Sequence, residues 1–521
     1  MEGLNICGCF DKEAIQIKGE QPEERIRIAE ILSKLGEFGR LHKLILISTT
    51  LLNIALAGIV LTFPFLLHDP SFECVKDGLK FNCNQETACR KDVESTMHYT
   101  IHSLVVEYEA YCEGRWLKIN GQIIIFVCSS IIATLTMFLM DKRGRRPTFI
   151  MVAFLGVIST ILLVFVKSWW FIVIAITLLE AISYIMFTNF YIYSTEIFNG
   201  KWRSYANSFF FTVYSLGRIM VVLINLGFTH YTHNYILMSV LIVLFCPLAY
   251  FCIETPFHHN RRGNVFELKK TLNKINEGNN HNNPIKIEEN TKYIDKYLEL
   301  TEKTEEELND ISIIEMEKKD KEKLFDDKLT LKVYSKHLII IVFTIIPNYV
   351  GSTLIDTVPD KLGLDNIFIS YSAFTVTAIL ANFVLLSILH KIPRRKGNII
   401  VVIIMVSLCL ILVIFKAFEH TNSEFFKWAK LIITIIAYIL IVIQFLLINR
   451  YTNEVFPTKL RSISISIVLM CGRMSMFIGN LLDPLSEILD IHPFVFVGIL
   501  YLMTLPLFFK FEETLNQQTK N

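Results

Sequence analysis

Twelve apolar stretches, each of about twenty residues, dominate this sequence of 521 residues. A helix needs about twenty mostly apolar residues to cross the hydrocarbon core of a bilayer. The stretches form two groups of six, separated by a charged segment at 254–336. The sequence therefore predicts an all-α integral membrane protein with two six-helix bundles, at 43–253 and 337–511. The predicted spans lie near 43–67, 120–140, 148–166, 170–193, 204–226, 234–253, 337–358, 367–389, 398–416, 428–449, 462–483 and 492–511.

Composition and charge narrow the functional classes. Charged residues make up 19% of the chain, whereas soluble globular proteins contain about 25%. The net charge of +2 argues against a nucleic-acid-binding surface, which requires a clear basic excess. The sequence also contains no recognisable nucleotide-binding loop, metal-ligand motif or converging nucleophile and base. We therefore expect contact with a lipid bilayer, no nucleic acid, no cofactor, no metal ion and no enzymatic activity.

The distribution of Lys and Arg among the connecting segments predicts the orientation. One set of short loops holds thirteen of these residues and the opposite set holds four. Because cytoplasmic loops carry the basic excess, the tails at 1–42 and 512–521 and the segment at 254–336 are predicted to be cytoplasmic. A polar tail precedes the first span, which is therefore not interpreted as a cleavable signal peptide.

The segment at 68–118 is predicted to lie on the opposite, oxidising side of the membrane. It contains Cys74, Cys83, Cys89 and Cys112. Four cysteines in such a compartment favour two disulfides, and three connectivities are open. The alternative is four free thiols facing an internal compartment.

An internal repeat relates the two groups of spans. The loop after the fourth span and the loop after the tenth share four residues at an offset of 258, and two further loops repeat at offsets of 259 and 249. Such a duplication predicts two homologous, pseudo-symmetric halves. The matched residues are Tyr193, Glu196, Phe198 and Arg203 with Tyr451, Glu454, Phe456 and Arg461; Pro247, Leu248, Glu254 and Thr255 with Pro506, Leu507, Glu513 and Thr514; and Lys142, Arg145 and Arg146 with Lys391, Arg394 and Arg395.

Several motifs resemble those of the major facilitator superfamily, and within it the family of organic cation, organic anion and carnitine transporters. They are DKRGRRP at 141–147, SLVVEYEAYCEGRW at 103–116, IETPF at 253–257, NEVFPTKLRS at 453–462 and EET at 512–514. This resemblance implies the major facilitator fold, in which a cavity at the membrane midplane lies between two halves that rock against each other.

The repeated charges are predicted to control that rocking. A carboxylate at the cytoplasmic end of one helix can pair with arginines of neighbouring helices in one state and release them in the other. The alternative is that the basic loops only establish topology. The gating candidates are Asp141, Arg145, Arg146, Glu196, Arg203, Glu454 and Arg461.

Three ionisable residues near the middle of spans are candidates for substrate binding, because charges in the bilayer core are costly. Glu180 and Arg218 lie in consecutive spans and are predicted to pair. Arg473 has no acidic residue in the eighth or tenth span, and the resemblance implies arginine here in carriers of anions or carnitine. Arg473 is therefore predicted to bind the anionic group of a substrate. The alternative is that it contacts backbone carbonyls or Glu180 across the cavity.

Tyr214, Tyr438 and Gln444 complete the predicted substrate site. Aromatic rings suit organic ions, and Gln444 is a polar midspan residue that suits either substrate binding or helix packing. These observations predict a secondary transporter of small organic ions, anionic or zwitterionic, in the plasma membrane. The alternatives are a sugar-porter-like carrier of a neutral solute and a non-transporting sensor or scaffold.

Overall fold

Twelve helices form the body of the protein in the computed structural model, which describes residues 28–36, 38–76, 79–83, 85–89, 94–165, 167–198, 200–262, 264–281, 283–309, 334–354, 367–388, 392–417, 424–456, 458–489 and 491–514. Each helix overlaps one predicted span. The N-terminal half consists of α1 Arg40–Leu61, α2 Arg115–Arg143, α3 Arg145–Phe165, α4 Trp169–Ile197, α5 Gly200–Gly227 and α6 Tyr231–Phe245. The C-terminal half consists of α7 Tyr334–Leu354, α8 Ile367–Ile388, α9 Arg394–Ala417, α10 Glu424–Val455, α11 Thr458–Ile488 and α12 Phe494–Phe508.

The distribution of polar and apolar side chains is that of a membrane protein. Among the described residues, nine helices are long and apolar enough to cross a bilayer, and three shorter segments are also apolar in character. Large side chains on the outer surface, such as Phe154, Phe165 and Met503, are more than 60% exposed. Asn53 and Asn225, by contrast, are buried between helices. This surface suits lipid, and the predicted integral membrane architecture is confirmed.

The two halves meet along two helix pairs, α2 with α11 and α5 with α8. The pairs are equivalent because the repeat relates α2 to α8 and α5 to α11. Within the N-terminal half, α4 packs against α1, α2 and α3. The interior faces of α4 and α10 consequently point toward the space between the halves.

A small sheet between α1 and α2 departs from the prediction of a purely α-helical chain. Strands β1 Ser71–Lys76, β2 Leu79–Cys83 and β3 Glu94–His98 pair antiparallel in the order β2-β1-β3. Four-residue helices, Phe63–Leu66, Gln85–Ala88 and Leu104–Glu107, flank this sheet. The sequence of β2, LKFNC, alternates apolar and polar residues and is typical of a strand, whereas β1 and β3 do not alternate throughout and are not recognisable in this way.

Two disulfides join Cys74 to Cys83 and Cys89 to Cys112. The prediction of two disulfides is confirmed, and the structure selects one of the three connectivities. The first bond fastens β1 to β2, and the second ties the helix after β2 to the turn before α2.

We expect peptide mapping under non-reducing conditions to recover only these two linked pairs. The bonds close segments of 9 and 23 residues, so chain entropy gives a stabilisation of about 2.6 and about 3.4 kcal/mol respectively. Paired serine substitution of Cys89 and Cys112 should therefore lower the unfolding temperature more than paired substitution of Cys74 and Cys83. Free alkylation of all four thiols, or a different pairing, would contradict this assignment.

Four further helices pack together at the end of the bundle opposite the sheet. They are Ile28–Lys34, Pro256–Arg261, Val265–Asn279 and Pro284–Asn309. Their core contains Ile31, Leu272 and Ile294, and Asn280 donates a hydrogen bond to the Leu35 carbonyl at 3.0 Å. Part of the predicted N-terminal tail is therefore anchored to the charged segment.

Candidate functional site

A cavity of about 270 Å³ lies between the two halves. Helices α1, α2, α4 and α5 contribute to one wall, and α7, α8, α10 and α11 form the other. Apolar rings such as Phe187, Phe211 and Phe445 alternate with polar groups along these walls. The polar and aromatic hydroxyl groups that line it belong to Glu180, Ser183, Tyr184, Tyr214, Ser215, Arg218, Asn348, Tyr349, Ser352, Tyr371, Thr375, Asn382, Tyr438 and Arg473.

An ion pair spans this cavity from one half to the other. Nη2 of Arg473, on α11, donates to Oε2 of Glu180, on α4, at 2.6 Å. The two side chains are 6% and 1% exposed, and the guanidinium lies 5.1 Å from the ring centroid of Tyr184. The structure therefore shows the alternative given for Arg473, contact with Glu180 across the cavity. Its partner comes from the opposite half, which inspection of neighbouring helices alone does not reveal.

Arg218 also reaches across the cavity, and it does not form the predicted pair with Glu180. Its Nη1 donates to the Tyr438 hydroxyl at 3.1 Å, and its guanidinium lies 4.8 Å from the centroid of the Tyr371 ring. Although α4 and α5 are consecutive, Arg218 extends toward α8 and α10 of the other half. Tyr214 lines the cavity as well.

Gln444 lies apart from these residues. It is completely buried and does not line the cavity, and both polar atoms of its amide lack a hydrogen-bond partner among the described residues. Of the two roles given for Gln444, helix packing agrees with its position in the packed interior, and substrate binding does not.

Four polar atoms on the α4 and α11 side of the cavity have no partner within the part of the chain that the structure describes. They are Oε1 of Glu180, Oγ of Ser183, the Tyr184 hydroxyl oxygen and Nε of Arg473. Buried polar groups are costly unless they are hydrogen-bonded. This side of the cavity consequently offers both a carboxylate acceptor and a guanidinium donor to a bound molecule.

A charged network closes the N-terminal half at the end opposite the sheet. Nη2 of Arg145 donates to Glu196 at 3.1 Å, and the Thr255 hydroxyl donates to the same carboxylate at 2.8 Å. Glu254 accepts the backbone N–H groups of Arg145 and Arg146 at 2.8 and 3.1 Å, so it caps the first turn of α3. Gly144 has a φ of +103°, and a Cβ here would collide with Glu254.

The C-terminal half repeats this network. Nε and Nη2 of Arg394 donate to the two oxygens of Glu454, each at 3.0 Å. The Thr514 hydroxyl donates to Glu454 at 2.5 Å, and Glu513 accepts the backbone N–H of Arg394 at 2.8 Å. Arg450 adds a further bond to Glu454 at 3.0 Å. The matched loops of the sequence therefore correspond to matched ion pairs.

Arg203 and Arg461 occupy equivalent places beside these networks. Nε of Arg203 donates to the Phe198 carbonyl at 3.2 Å, and Nη2 of Arg461 donates to the Phe456 carbonyl at 3.4 Å. Burial and then the Arg203 guanidinium lower the pKa of Arg461 to about 10, while Glu196 opposes the shift. Burial also lowers the pKa of Arg203, against the attraction of Glu454. Each arginine is therefore attracted electrostatically by a carboxylate of the opposite half.

The halves also touch directly on both sides of the cavity. Toward the networks, Nδ2 of Asn453 donates to the Tyr191 hydroxyl at 2.5 Å. Toward the sheet, the Tyr371 hydroxyl donates to the Leu61 carbonyl at 2.9 Å, and the rings of Phe65 and Tyr371 meet edge to face with centroids 4.9 Å apart. Movement of the halves would separate one set of contacts or the other.

Sequence reasoning did not assign a role to Glu254, Thr255, Glu513 or Thr514, although the repeat had already matched these residues. Glu254 and Thr255 match Glu513 and Thr514 at the same offset of 259, and this match could have identified them. Asp141 lies in the last turn of α2, and its side chain is outside the described residues, so its predicted gating role stays a prediction.

The arrangement of the helices agrees with the similarity of this chain to a known protein family. A family model described as Major Facilitator Superfamily matches residues 122–480. The Xenopus laevis protein Solute carrier family 22 member 16 is 25% identical over 187 residues, covering 36% of this chain. The matched region spans only 33% of that relative.

Solved structures share the fold. The proton:xylose symporter XylE bound to 6-bromo-6-deoxy-D-glucose has a TM-score of 0.62 at 14% identity, covering 91% of this chain and 97% of that one. A mutant of the fucose:proton symporter FucP of E. coli has a TM-score of 0.53 at 12% identity, covering 89% and 97%. The predicted twelve-helix fold with two six-helix halves is confirmed.

Proposed function

The chain belongs to the Major Facilitator Superfamily, and from that premise we propose that it is a secondary transporter of small organic ions. The substrate carries an anionic group and is either anionic or zwitterionic. The pair of Arg473 and Glu180 inside the cavity carries this proposal. An internal ion pair between the halves is costly to bury, and a charged substrate can compensate for its separation.

The atoms left without partners indicate how such a substrate binds. A carboxylate or sulfonate can accept from Nε of Arg473 and from the Tyr184 hydroxyl, since a guanidinium binds planar oxyanions bidentately. An ammonium group on the same molecule can reach Oε1 of Glu180, which lacks a partner among the described residues. The surrounding rings, such as Phe187 and Tyr214, suit an organic body.

Alternating access is the mechanism that fits the contacts between the halves. In this proposal the contact of Tyr191 with Asn453 breaks when the network side opens, and the contact of Phe65 with Tyr371 breaks when the sheet side opens. The networks around Glu196 and Glu454 hold each half rigid and attract arginines of the other half. We place the networks in the cytoplasm and the disulfide-bonded sheet outside the plasma membrane, following the basic loops.

A carrier of a neutral, hydroxylated solute is the second candidate. Asn382 lines the cavity with its Oδ1 lacking a described partner, and Ser352 and Thr375 lie on the same C-terminal wall. Such groups bind hydroxyls. This candidate leaves the buried charges of Arg473 and Glu180 without a role in recognition, and therefore ranks second.

Uptake of a labelled panel into expressing cells distinguishes these candidates. We expect saturable uptake of an aromatic carboxylate or of carnitine, and little uptake of tetraethylammonium or xylose. Cells that carry an empty vector provide the background uptake. Uptake of xylose alone would favour the second candidate, and uptake of tetraethylammonium alone would exclude an anion-binding role for the cavity.

A further inference from the structure

Two histidines and a glutamate meet at the sheet end of the N-terminal half, outside the cavity. His102 follows β3, Glu107 ends the short helix after it, and His230 connects α5 to α6. The backbone N–H of His102 donates to the Thr229 carbonyl at 2.7 Å, and that of Tyr231 donates to the His102 carbonyl at 3.3 Å. Main-chain bonds therefore hold the two histidines together, independently of their side chains.

The three side chains present their ligand atoms to a common point. One donor atom from each lies within 4.8 Å of the others. Nδ1 of His102 and Oε2 of Glu107 are buried, and neither has a hydrogen-bond partner in the described ranges. Two buried polar atoms without partners are unusual in native proteins and call for an explanation, such as a bound ion.

Groups around the cluster orient these ligands. Nδ1 of His230 lies 2.8 Å from the Thr232 hydroxyl oxygen, which leaves Nε2 available. The Tyr231 ring is stacked on His230, with centroids 5.0 Å apart. Histidine and carboxylate ligands of metal ions ordinarily have such outer partners, which fix the tautomer and the ring orientation.

We propose that His102, Glu107 and His230 bind a divalent transition-metal ion, with Zn²⁺ the best match. Two imidazoles and one carboxylate suit zinc, whereas Mg²⁺ and Ca²⁺ prefer oxygen ligands alone. The imidazoles are stacked, with centroids 4.7 Å apart and planes inclined by 13°. Tetrahedral ligands about 2.0–2.1 Å from zinc are about 3.3 Å apart. Binding consequently rotates the rings out of their stack until the nitrogens converge.

The ion would join two parts of the structure that the sequence keeps far apart. His102 and His230 are separated by 128 residues. No local sequence motif therefore identifies this metal site. Zinc here links the disulfide-bonded segment to the connection between α5 and α6, and both belong to the N-terminal half. We therefore expect it to stabilise this segment without entering the transport cavity.

Zinc binding by the purified full-length protein in detergent tests the assignment. After equilibration with Zn²⁺ and removal of free metal, elemental analysis should find one zinc per chain, and the unfolding temperature should rise with Zn²⁺ but not with Mg²⁺. His102→Gln and His230→Gln should each raise the dissociation constant at least about a hundredfold. His98→Gln is the matched control, because His98 lies in the same segment but outside the cluster, and it should bind zinc as the wild type does.

A second measurement applies if a variant folds poorly. Co²⁺ bound to the wild-type protein should show the visible absorption of a tetrahedral site, and Zn²⁺ should abolish it at one equivalent. Absence of stoichiometric zinc, or equal affinity in both histidine variants and the control, would overturn the proposal. Neither outcome bears on the transport function, because the cavity residues are unaltered.

Discussion

Arg473→Ala is expected to weaken the apparent affinity for organic anions by roughly ten- to a hundredfold at equal surface expression. The substitution removes a charge-assisted hydrogen bond worth about 1.5–3 kcal/mol. Lys at this position should recover only part of the loss, because an ammonium keeps the charge but not the planar arrangement of donors. The measurement is concentration-dependent uptake of matched anionic, zwitterionic and cationic probes.

The ion pair with Glu180 complicates this experiment, and a double variant resolves it. Removing Arg473 alone leaves the Glu180 carboxylate buried without its partner, which costs about 3–5 kcal/mol in stability. Replacing both residues with Gln removes both charges and should restore folding and surface expression. If Arg473 binds the substrate, the double variant remains defective toward anions. Recovery of anion uptake in the double variant would show that the pair is purely structural.

The packing of the two halves explains why the sequence offered the pair of Arg473 and Glu180 only as an alternative. Arg473 and Glu180 are 293 residues apart, and their contact depends on how the halves pack along α2 with α11 and α5 with α8. A charge in a span indicates that a partner or a substrate is required, but it does not identify which helix provides the partner. Gln444 shows the same limit, since the rotation of α10 decides whether a polar residue faces the cavity.

The charged networks could be predicted more fully because the chain contains them twice. Arg145, Glu196 and Glu454 were identified from matched loops, and the pairing of Arg145 with Glu196 recurs as that of Arg394 with Glu454. A residue that occurs at the same place in both halves indicates a shared structural role, because the two halves pack in the same way. The sheet that follows α1 occurs only once in the described chain, and its short polar strands provide no comparable pattern.

The networks also indicate which substitution should alter the conformational balance most. Glu454 accepts hydrogen bonds from Arg394, Arg450 and Thr514, whereas Glu196 accepts from Arg145 and Thr255. Arg145 and Arg394 are each 1% exposed. Loss of either carboxylate removes an ion pair from a buried guanidinium, and the greater number of bonds makes Glu454 the more sensitive position.

Glu454→Gln is therefore expected to shift the protein toward the state that is open on the network side, and Glu196→Gln should do so to a smaller extent. Glu454 attracts Arg203, and Glu196 attracts Arg461, across the two halves, so loss of either charge destabilises the state that is closed on the network side more than the open one. A difference of about 1 kcal/mol changes the ratio of the two states about fivefold. The readout is modification of a cysteine at Ser215, which lines the cavity, by an impermeant reagent applied from each side of the membrane. The background carries serine in place of the free cysteines.

Glu513→Gln is the matched control, because Glu513 caps α9 through backbone N–H groups. This substitution should lower the stability by about 1 kcal/mol. Modification should become faster from the network side and slower from the sheet side in Glu454→Gln. Unchanged rates from both sides in both carboxylate variants would mean that the networks brace each half but do not control access to the cavity.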